Sequence, residues 1–217
     1  MNDFISMKWN KVLFLNIEID ESCLKPYIPN KLEIRTLNNK SFITLVFFNL
    51  DDPGIFGFNI PIRMSEFNIR TYVRYKSFEG IFFLTLDVNN YLIPLIVNKI
   101  FKLNYCKNTV KYKTVNDLYQ INWSNKFFNL NNLSFDFKVE DSLPPNPFNH
   151  FITENYLYLN QFNNNVYYNK VYHSKWELNH VNINNIKNFS VFEKKTIHSA
   201  FYSKHLKVKS GLPVKIS

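Results

Sequence analysis

Glu66 to Val88, EFNIRTYVRYKSFEGIFFLTLDV, reads as two strands joined by a short turn. Successive side chains in a strand point to opposite faces. In the first arm Phe67, Ile69, Thr71, Val73 and Tyr75 take one face, and Asn68, Arg70, Tyr72 and Arg74 the other. The second arm alternates less cleanly, with Phe82, Leu84, Leu86 and Val88 set against Ile81, Phe83, Thr85 and Asp87. The turn Lys76-Ser77-Phe78-Glu79 can change length by one residue through Gly80. Two registers follow, and a one-residue slip exchanges the faces. Pairing Ile69 with Leu86 and Val73 with Phe82 sets apolar on apolar. It also places Asn68 opposite Asp87 and Arg70 opposite Thr85, with Asp87 on the diagonal of Arg70. The expectation is a polar, arginine-bearing stripe on an apolar hairpin, and a ligand site at that stripe.

The rest of the composition bounds what such a site can do. A chain of 217 residues with 46% hydrophobic side chains can bury a large core, which excludes a disordered segment. Four glycines leave no glycine-rich phosphate loop and no dinucleotide fingerprint, so no cofactor is expected. Cys23 and Cys106 stand far apart without metal-ligand spacing, and the N-terminus lacks a signal peptide. A reduced, cytoplasmic setting is the expectation. The formal charge of +9 invites a nucleic-acid partner. The basic residues are dispersed, however, among the Lys, Asn, Ile, Phe and Tyr that an AT-rich coding sequence enriches, and no specific nucleic-acid partner is expected. Tyr91 to Leu103, the longest apolar run, is too short and too interrupted to span a membrane.

Outward from the hairpin, Lys11 to Ile19 reads as a strand, and Asp20 can cap a short helix, Glu21 to Tyr27. Leu32 to Thr36 and Phe42 to Asn49 read as a hairpin, with Ile43 to Phe48 apolar on both faces and hence central. Asp51 to Ser65, with Pro53, Gly54, Gly57 and Pro61, reads as a mobile loop beside the hairpin. Tyr91 to Leu103 is the best helix, since Pro94 falls in its first turn. Strands follow at Tyr105 to Lys113, Asp117 to Trp123 and Leu133 to Val139, then a long loop, Asp141 to Pro147. Phe148 to Glu154 reads as a helical turn. Tyr156 to Leu159 and Val166 to His173 pair across Asn163-Asn164-Asn165, Val181 to Phe189 fits either helix or strand, and Phe201 to Lys209 is a last strand. The sum is one α+β domain, mostly antiparallel, most simply a closed or nearly closed β-barrel with a few short helices.

Several patterns resemble the YqjF-like family: Trp9…Leu13-Phe14-Leu15, Leu24-x-Pro26-x-x-Pro29-x-x-Leu32, Asn68-Ile69-Arg70-Thr71-Tyr72-Val73, Phe83-x-x-Leu86-Asp87, Phe151-x-Thr153-Glu154-x-Tyr156, His173-x-x-Trp176-x-Leu178 and Tyr202-Ser203. That family in turn resembles acetoacetate decarboxylase, which implies a β-barrel with an internal polar pocket. In those decarboxylases the catalytic lysine follows a helix, within a Gly-aromatic-Pro-Lys-Lys stretch. The matching stretch here is Lys102-Leu103-Asn104-Tyr105-Cys106-Lys107, so Tyr105 stands where the Schiff-base lysine would be. The resemblance therefore does not carry decarboxylase activity to this chain. Lys107, two residues on, would supply an amine only if desolvated enough to be neutral.

Arg70 is the strongest site candidate, because a buried guanidinium needs a partner and its fork fits a carboxylate or phosphate. The plainer alternative is a structural ion pair with Asp87 or Glu66. Asn68 and Tyr72 flank Arg70 as ligand donors if the stripe faces a pocket, and are otherwise a wet sheet face. Tyr105 and His173 are candidate acid/base groups, since histidine titrates near neutrality, although a lone histidine is more often structural. Trp176 reads as a pocket wall. His150, His180, His198 and His205 lack metal-ligand spacing. The expected partner is a small, anionic molecule, for lyase-type chemistry on a keto or hydroxy acid or for non-catalytic sensing. A homo-oligomer is compatible with either.

Overall fold

Alternation around KVLFLNIEI produces a long strand, β1 (Ile5–Ile19), in the computed structural model, which describes residues 5–55, 57–115, 118–125, 130–192 and 196–217. A short helix, α1 (Glu21–Leu24), runs into a 3-10 turn, Lys25–Tyr27. The next segment, β2 (Glu33–Ile34), does not form the expected hairpin with its successor, β3 (Ser41–Ile55). It pairs instead with a later strand, at Glu33 with Arg74 and Ile34 with Val73. The turn expected between them survives locally, since Asn38 and Asn39 both take positive φ and Leu37 bridges Lys40. The expected loop at Asp51 to Ser65 is a second correction. β3 runs on to Ile55 and turns into β4 (Phe58–Asn59), with Gly54 opposite Asn59. Positive φ at Asp52 (47°) and Gly57 (82°) bends the chain there without ending the sheet.

The central hairpin is β5 (Arg63–Tyr75) and β6 (Phe78–Val88), with a register that overturns the expected one. Tyr75 pairs with Phe78 across Lys76-Ser77, where Lys76 adopts φ 53°. Pairing then runs to Arg70 opposite Phe83 and steps, so that Ile69 meets Thr85, Asn68 meets Leu86 and Phe67 meets Asp87. Leu84 is the extra residue of a β-bulge. On one side of it Ile81 and Phe83 share the face of Arg70 and Tyr72. On the other side Leu86 and Val88 take that face. The bulge explains the imperfect alternation of the second arm, and it turns Asp87 to the face opposite Arg70.

Beyond the hairpin, α2 (Leu92–Phe101) ends at Lys102, which takes a left-handed φ of 56° and releases the chain into β7 (Tyr105–Lys107). β8 (Val110–Val115), β9 (Leu118–Asn125) and β10 (Leu130–Ser142) follow; Asp117, the expected start of a strand, lies outside the described residues. The expected long loop shrinks to a few residues before α3 (Pro147–Thr153). Asn146 and Asn149 cap this helix reciprocally. β11 (Leu157–Phe162) and β12 (Asn165–Tyr172) turn through Asn163 and Asn164, both at positive φ. The ambiguous segment is a strand, β13 (Asn179–Lys187), ahead of β14 (Ser199–Ser210) and β15 (Val214–Lys215).

The chain is thus mostly sheet, with three short α-helices among the described residues. The strand order is β15-β12-β11-β6-β5-β3-β1-β14-β13-β10-β9-β8, antiparallel except where β6 meets β11 and β7. β12 also pairs with β14, at Val171–Ser210 and Tyr172–Lys209, so the path from β12 through β1 to β14 returns to its start. Two cores lie on opposite faces. In one, Phe47, Phe67 and Ile69 pack against Trp123, Phe135 and Phe137 of the strands that fold over them. In the other, Phe14, Phe48, Tyr72 and Leu86 are covered by Phe101 of α2 and Ile152 of α3.

At Gly80, β6 runs close against the backbone of β11. A Cβ there would stand 2.9 Å from the carbonyl carbon of Leu157, a backbone atom with little room to yield. Gly80→Ala is therefore expected to lower stability by about 2 kcal/mol, as overpacking does. Urea denaturation of both proteins checks this, and equal midpoints would refute it.

Candidate functional site

The face of β5 that carries Glu66, Asn68 and Arg70 looks into a cavity of about 100 Å³. Tyr105, Tyr158 and His173 add further titratable side chains to its wall, while Trp9, Phe14, Phe48 and Trp176 contribute aromatic surface. Each polar residue is placed by a local device. Asn98 of α2 holds the backbone of Tyr105 at both ends, accepting from its N–H at 2.7 Å and donating to its carbonyl at 2.9 Å. So fixed, Tyr105 donates its hydroxyl to Glu66 Oε2 at 3.0 Å. Asn68 Nδ2 donates to Glu66 Oε1 at 3.3 Å. Trp176 is pinned by its indole N–H to the Thr153 carbonyl (3.0 Å) and by its backbone N–H to Glu154 (3.1 Å).

Burial dominates the electrostatics. It pushes the Glu66 carboxyl up from 4.5 to about 8, against the hydrogen bonds of Tyr105 and Asn68, and the nearby charge of Asp87 adds to the push. Glu66 is accordingly a carboxylic acid at neutral pH. The Tyr105 phenol is held well above its ordinary value by burial and then by Glu66. Burial lowers His173 below 6.5, so its ring is neutral near pH 7; the ring stacks on Tyr156, with centroids 4.6 Å apart.

Arg70 is buried at 6% exposure, and no carboxylate pairs with it among the described residues. Its Nη2 donates to the Ile152 carbonyl (3.0 Å) in the last turn of α3, where the helix dipole favours a cation. Its Cζ lies 5.3 Å from the ring centre of Phe14, and its Nε has no hydrogen-bond partner. The guanidinium is anchored at one edge and unused at another.

Of the residues singled out from sequence, the structure brings Asn68, Arg70, Tyr105, His173 and Trp176 to one cavity. Tyr72 is not among them. It is wholly buried, sharing a 2.6 Å hydrogen bond with the Thr44 hydroxyl and donating to the Ile152 carbonyl at 3.1 Å, so it buttresses Arg70 from behind. Asp87 does not orient Arg70, because the bulge sends it into the other core, where Trp123, Asn125, Asn108 and Thr85 donate to it. Lys107 is exposed on the short strand β7 and is no desolvated amine. Cys106 is likewise exposed. The sequence reading gives Glu66 only as an ion-pair partner for Arg70. Its place on the cavity face was nonetheless visible in its spacing of two and four residues from Asn68 and Arg70. Among the described residues no cluster of His, Cys, Asp or Glu converges to hold a metal, and no helix is long and apolar enough to cross a membrane.

The geometry can now be set beside known proteins. Over its whole length the chain superposes on acetoacetate decarboxylase from Legionella pneumophila, with a TM-score of 0.70, 12% identity and 90% of that chain covered. It also superposes on the enduracididine biosynthesis enzyme MppR in a complex with pyruvate (TM-score 0.62, 9% identity, 91% of that chain) and on an acetoacetate decarboxylase-like enzyme from Sphingomonas wittichii (0.65, 8%, 94%). These likenesses establish an acetoacetate decarboxylase-like fold. In sequence, the chain is 29% identical to uncharacterized protein YqjF of Bacillus subtilis over 184 residues, 78% of this chain and 73% of that one. The model of the uncharacterized conserved proteins termed DUF2071 matches residues 6–208. By that match the chain belongs to the DUF2071 family.

Proposed function

We propose that the cavity binds a small organic anion, of the keto- or hydroxy-acid class, with Arg70 as its clamp. The observation that carries this reading is a buried guanidinium, on a residue that lines the cavity, with no carboxylate partner among the described residues and an Nε–H without an acceptor. An isolated buried charge costs several kcal/mol, and a ligand carboxylate would relieve it. The likeness of the fold to enzymes acting on small carboxylates supports the same class, as does the returning strand path, which we read as a barrel around the cavity. With Glu66 protonated and bonded to Tyr105, and neutral His173 on the same wall, the site holds both a proton donor and a proton acceptor. That suits lyase-type chemistry without a Schiff-base lysine. The second reading, a non-catalytic binding or sensing module, is favoured by Tyr105 standing where a lysine would be required. The exposed free thiols of Cys23 and Cys106 suit a cytoplasmic setting.

A thermal-shift screen of lactate, pyruvate, short branched acids and phosphate tests the clamp. A carboxylate at about a hundredfold excess over its Kd should stabilise the wild type by about 2.7 kcal/mol. Arg70→Met, which keeps the volume and removes the charge, should abolish the shift. An undiminished shift in Arg70→Met would refute the clamp. Recovery of the bound acid, followed by NMR, separates the two readings: conversion supports the lyase and unchanged acid the binding module.

A further inference from the structure

α2 is apolar on both of its faces, although one of them meets water. Val97 and Phe101 turn inward and line the cavity wall. Leu92, Leu95, Ile96 and Lys99, spaced i, i+3, i+4 and i+7, form the outer stripe. A surface helix ordinarily puts polar side chains there, yet Leu92 is 43%, Leu95 63% and Ile96 48% exposed. Tyr91, one residue ahead of the helix, is exposed as well. Past the other end, Lys102 Nζ stands 5.0 Å from the ring centre of Phe162, itself an exposed aromatic. Apolar side chains exposed singly are ordinary, whereas a contiguous group marks a surface made to be covered.

The charge around the helix points to what covers it. Residues 88–116 contain five lysines, Lys99, Lys102, Lys107, Lys111 and Lys113, and no aspartate or glutamate. Lys99 sits within the apolar stripe. Lys107 is exposed on β7, which Asn98 ties to α2 through the backbone of Tyr105. A second copy docking through this face about a twofold axis would bring Lys99 toward its own counterpart, with no acid in the segment to meet it, and each copy carries +9. An anionic bilayer answers both halves of the pattern. Acyl chains receive the leucines and the isoleucine, the long lysine stem lets its ammonium reach the headgroups, and tyrosine suits the boundary. At about 15 Å the helix is too short to span a bilayer, but it can lie flat in its surface. We propose that α2 docks the protein on an anionic lipid surface, with Leu92, Leu95 and Ile96 inserted and Lys99 at the headgroups.

Flotation of the full chain with lipid vesicles tests this. The wild type should rise with vesicles of equal parts phosphatidylglycerol and phosphatidylcholine, and stay behind with phosphatidylcholine alone. Replacing Leu95→Gln and Ile96→Gln together should lower partition onto the mixed vesicles at least about tenfold, the equivalent of one buried aliphatic side chain. Both side chains are exposed, so this variant should fold, and its thermal melt should match the wild type. Lys99→Gln is the milder test, with an expected loss of about fivefold on the mixed vesicles. Flotation undiminished in the double variant would overturn the inference, because the basic surface as a whole would then account for the attraction. Failure of the wild type to float with the mixed vesicles would overturn it as well. A dimer in sedimentation velocity that the double variant dissolves would then assign this face to a second copy of the chain.

Discussion

Glu66→Gln is expected to remove most of a loss of stability that the wild type suffers between about pH 5 and pH 8. The sign follows from the direction of the shift. The folded carboxyl titrates at about 8 and the unfolded one near 4.5, so within that interval the unfolded chain holds fewer protons. Stability therefore falls as pH rises and levels off only above the folded value. At about 1.4 kcal/mol per unit, the whole interval is worth on the order of 5 kcal/mol. Urea unfolding of wild type and variant at a series of pH values isolates Glu66, because other titrating groups contribute alike to both. Parallel curves would show that the cavity solvates this carboxylate after all. A bound anion should extend the wild-type dependence to higher pH, since a second negative charge on the wall that Glu66 shares raises its folded pKa further.

Asp87→Ala should be costly, by about 3–5 kcal/mol, because it leaves several donors unpaired at about 1–3 kcal/mol each, and the cost should shrink as pH rises, since burial raises the folded pKa of Asp87. Asp87 is fully buried and accepts from Asn125 Nδ2 (2.6 Å), Trp123 Nε1 (2.8 Å), Asn108 Nδ2 (2.8 Å) and Thr85 Oγ1 (3.2 Å). Burial still raises its pKa, so desolvation outweighs four donors, yet deleting the acceptor would strand all of them in a core. These bonds tie β6 to β9 and to the turn before β8, and their loss should loosen the layer that folds over the hairpin. The midpoint and the slope of urea unfolding check this. Because Asp87 faces away from the cavity, a folded Asp87→Ala protein should bind the same acids as the wild type. A variant that kept its stability but lost binding would place Asp87 in the site.

How far such features could be read in advance depended on the range of the interaction involved. The stripe of Asn68, Arg70 and Tyr72 needed only alternation along one strand, and α2 only its periodicity and the tolerance of Pro94. Asn163 and Asn164 announced their turn because asparagine accepts positive φ. The partner of β2 could not be read, since Glu33–Ile34 is too short to choose between strands by pattern. Nor could the return of β12 to β14, which joins residues far apart in sequence through two pairs. Proline and glycine at Pro53 and Gly54 suggested a loop, whereas the Pro53 carbonyl accepts from the Ile60 N–H at 2.8 Å and the sheet continues. Sequence offers both Asp87 and Glu66 as acids for Arg70, and only the facing strand, with its bulge, turns Asp87 to the opposite face and leaves Glu66 on the cavity.

The extra residue at Leu84 decides which acid the cavity contains. Had the pairing of Arg70 with Phe83 continued without a step, Asp87 would sit directly across from Glu66, and two carboxyls would crowd a dry wall. With the step, one carboxyl remains there, free to hold its proton, and the other becomes a structural anchor on the far side. In this hairpin, gain or loss of a single residue acts like several simultaneous substitutions, rewriting the chemistry of both faces at once. Length variation in the second strand is thus a route by which a sheet of this kind can acquire a different active surface without changing one amino acid of the first.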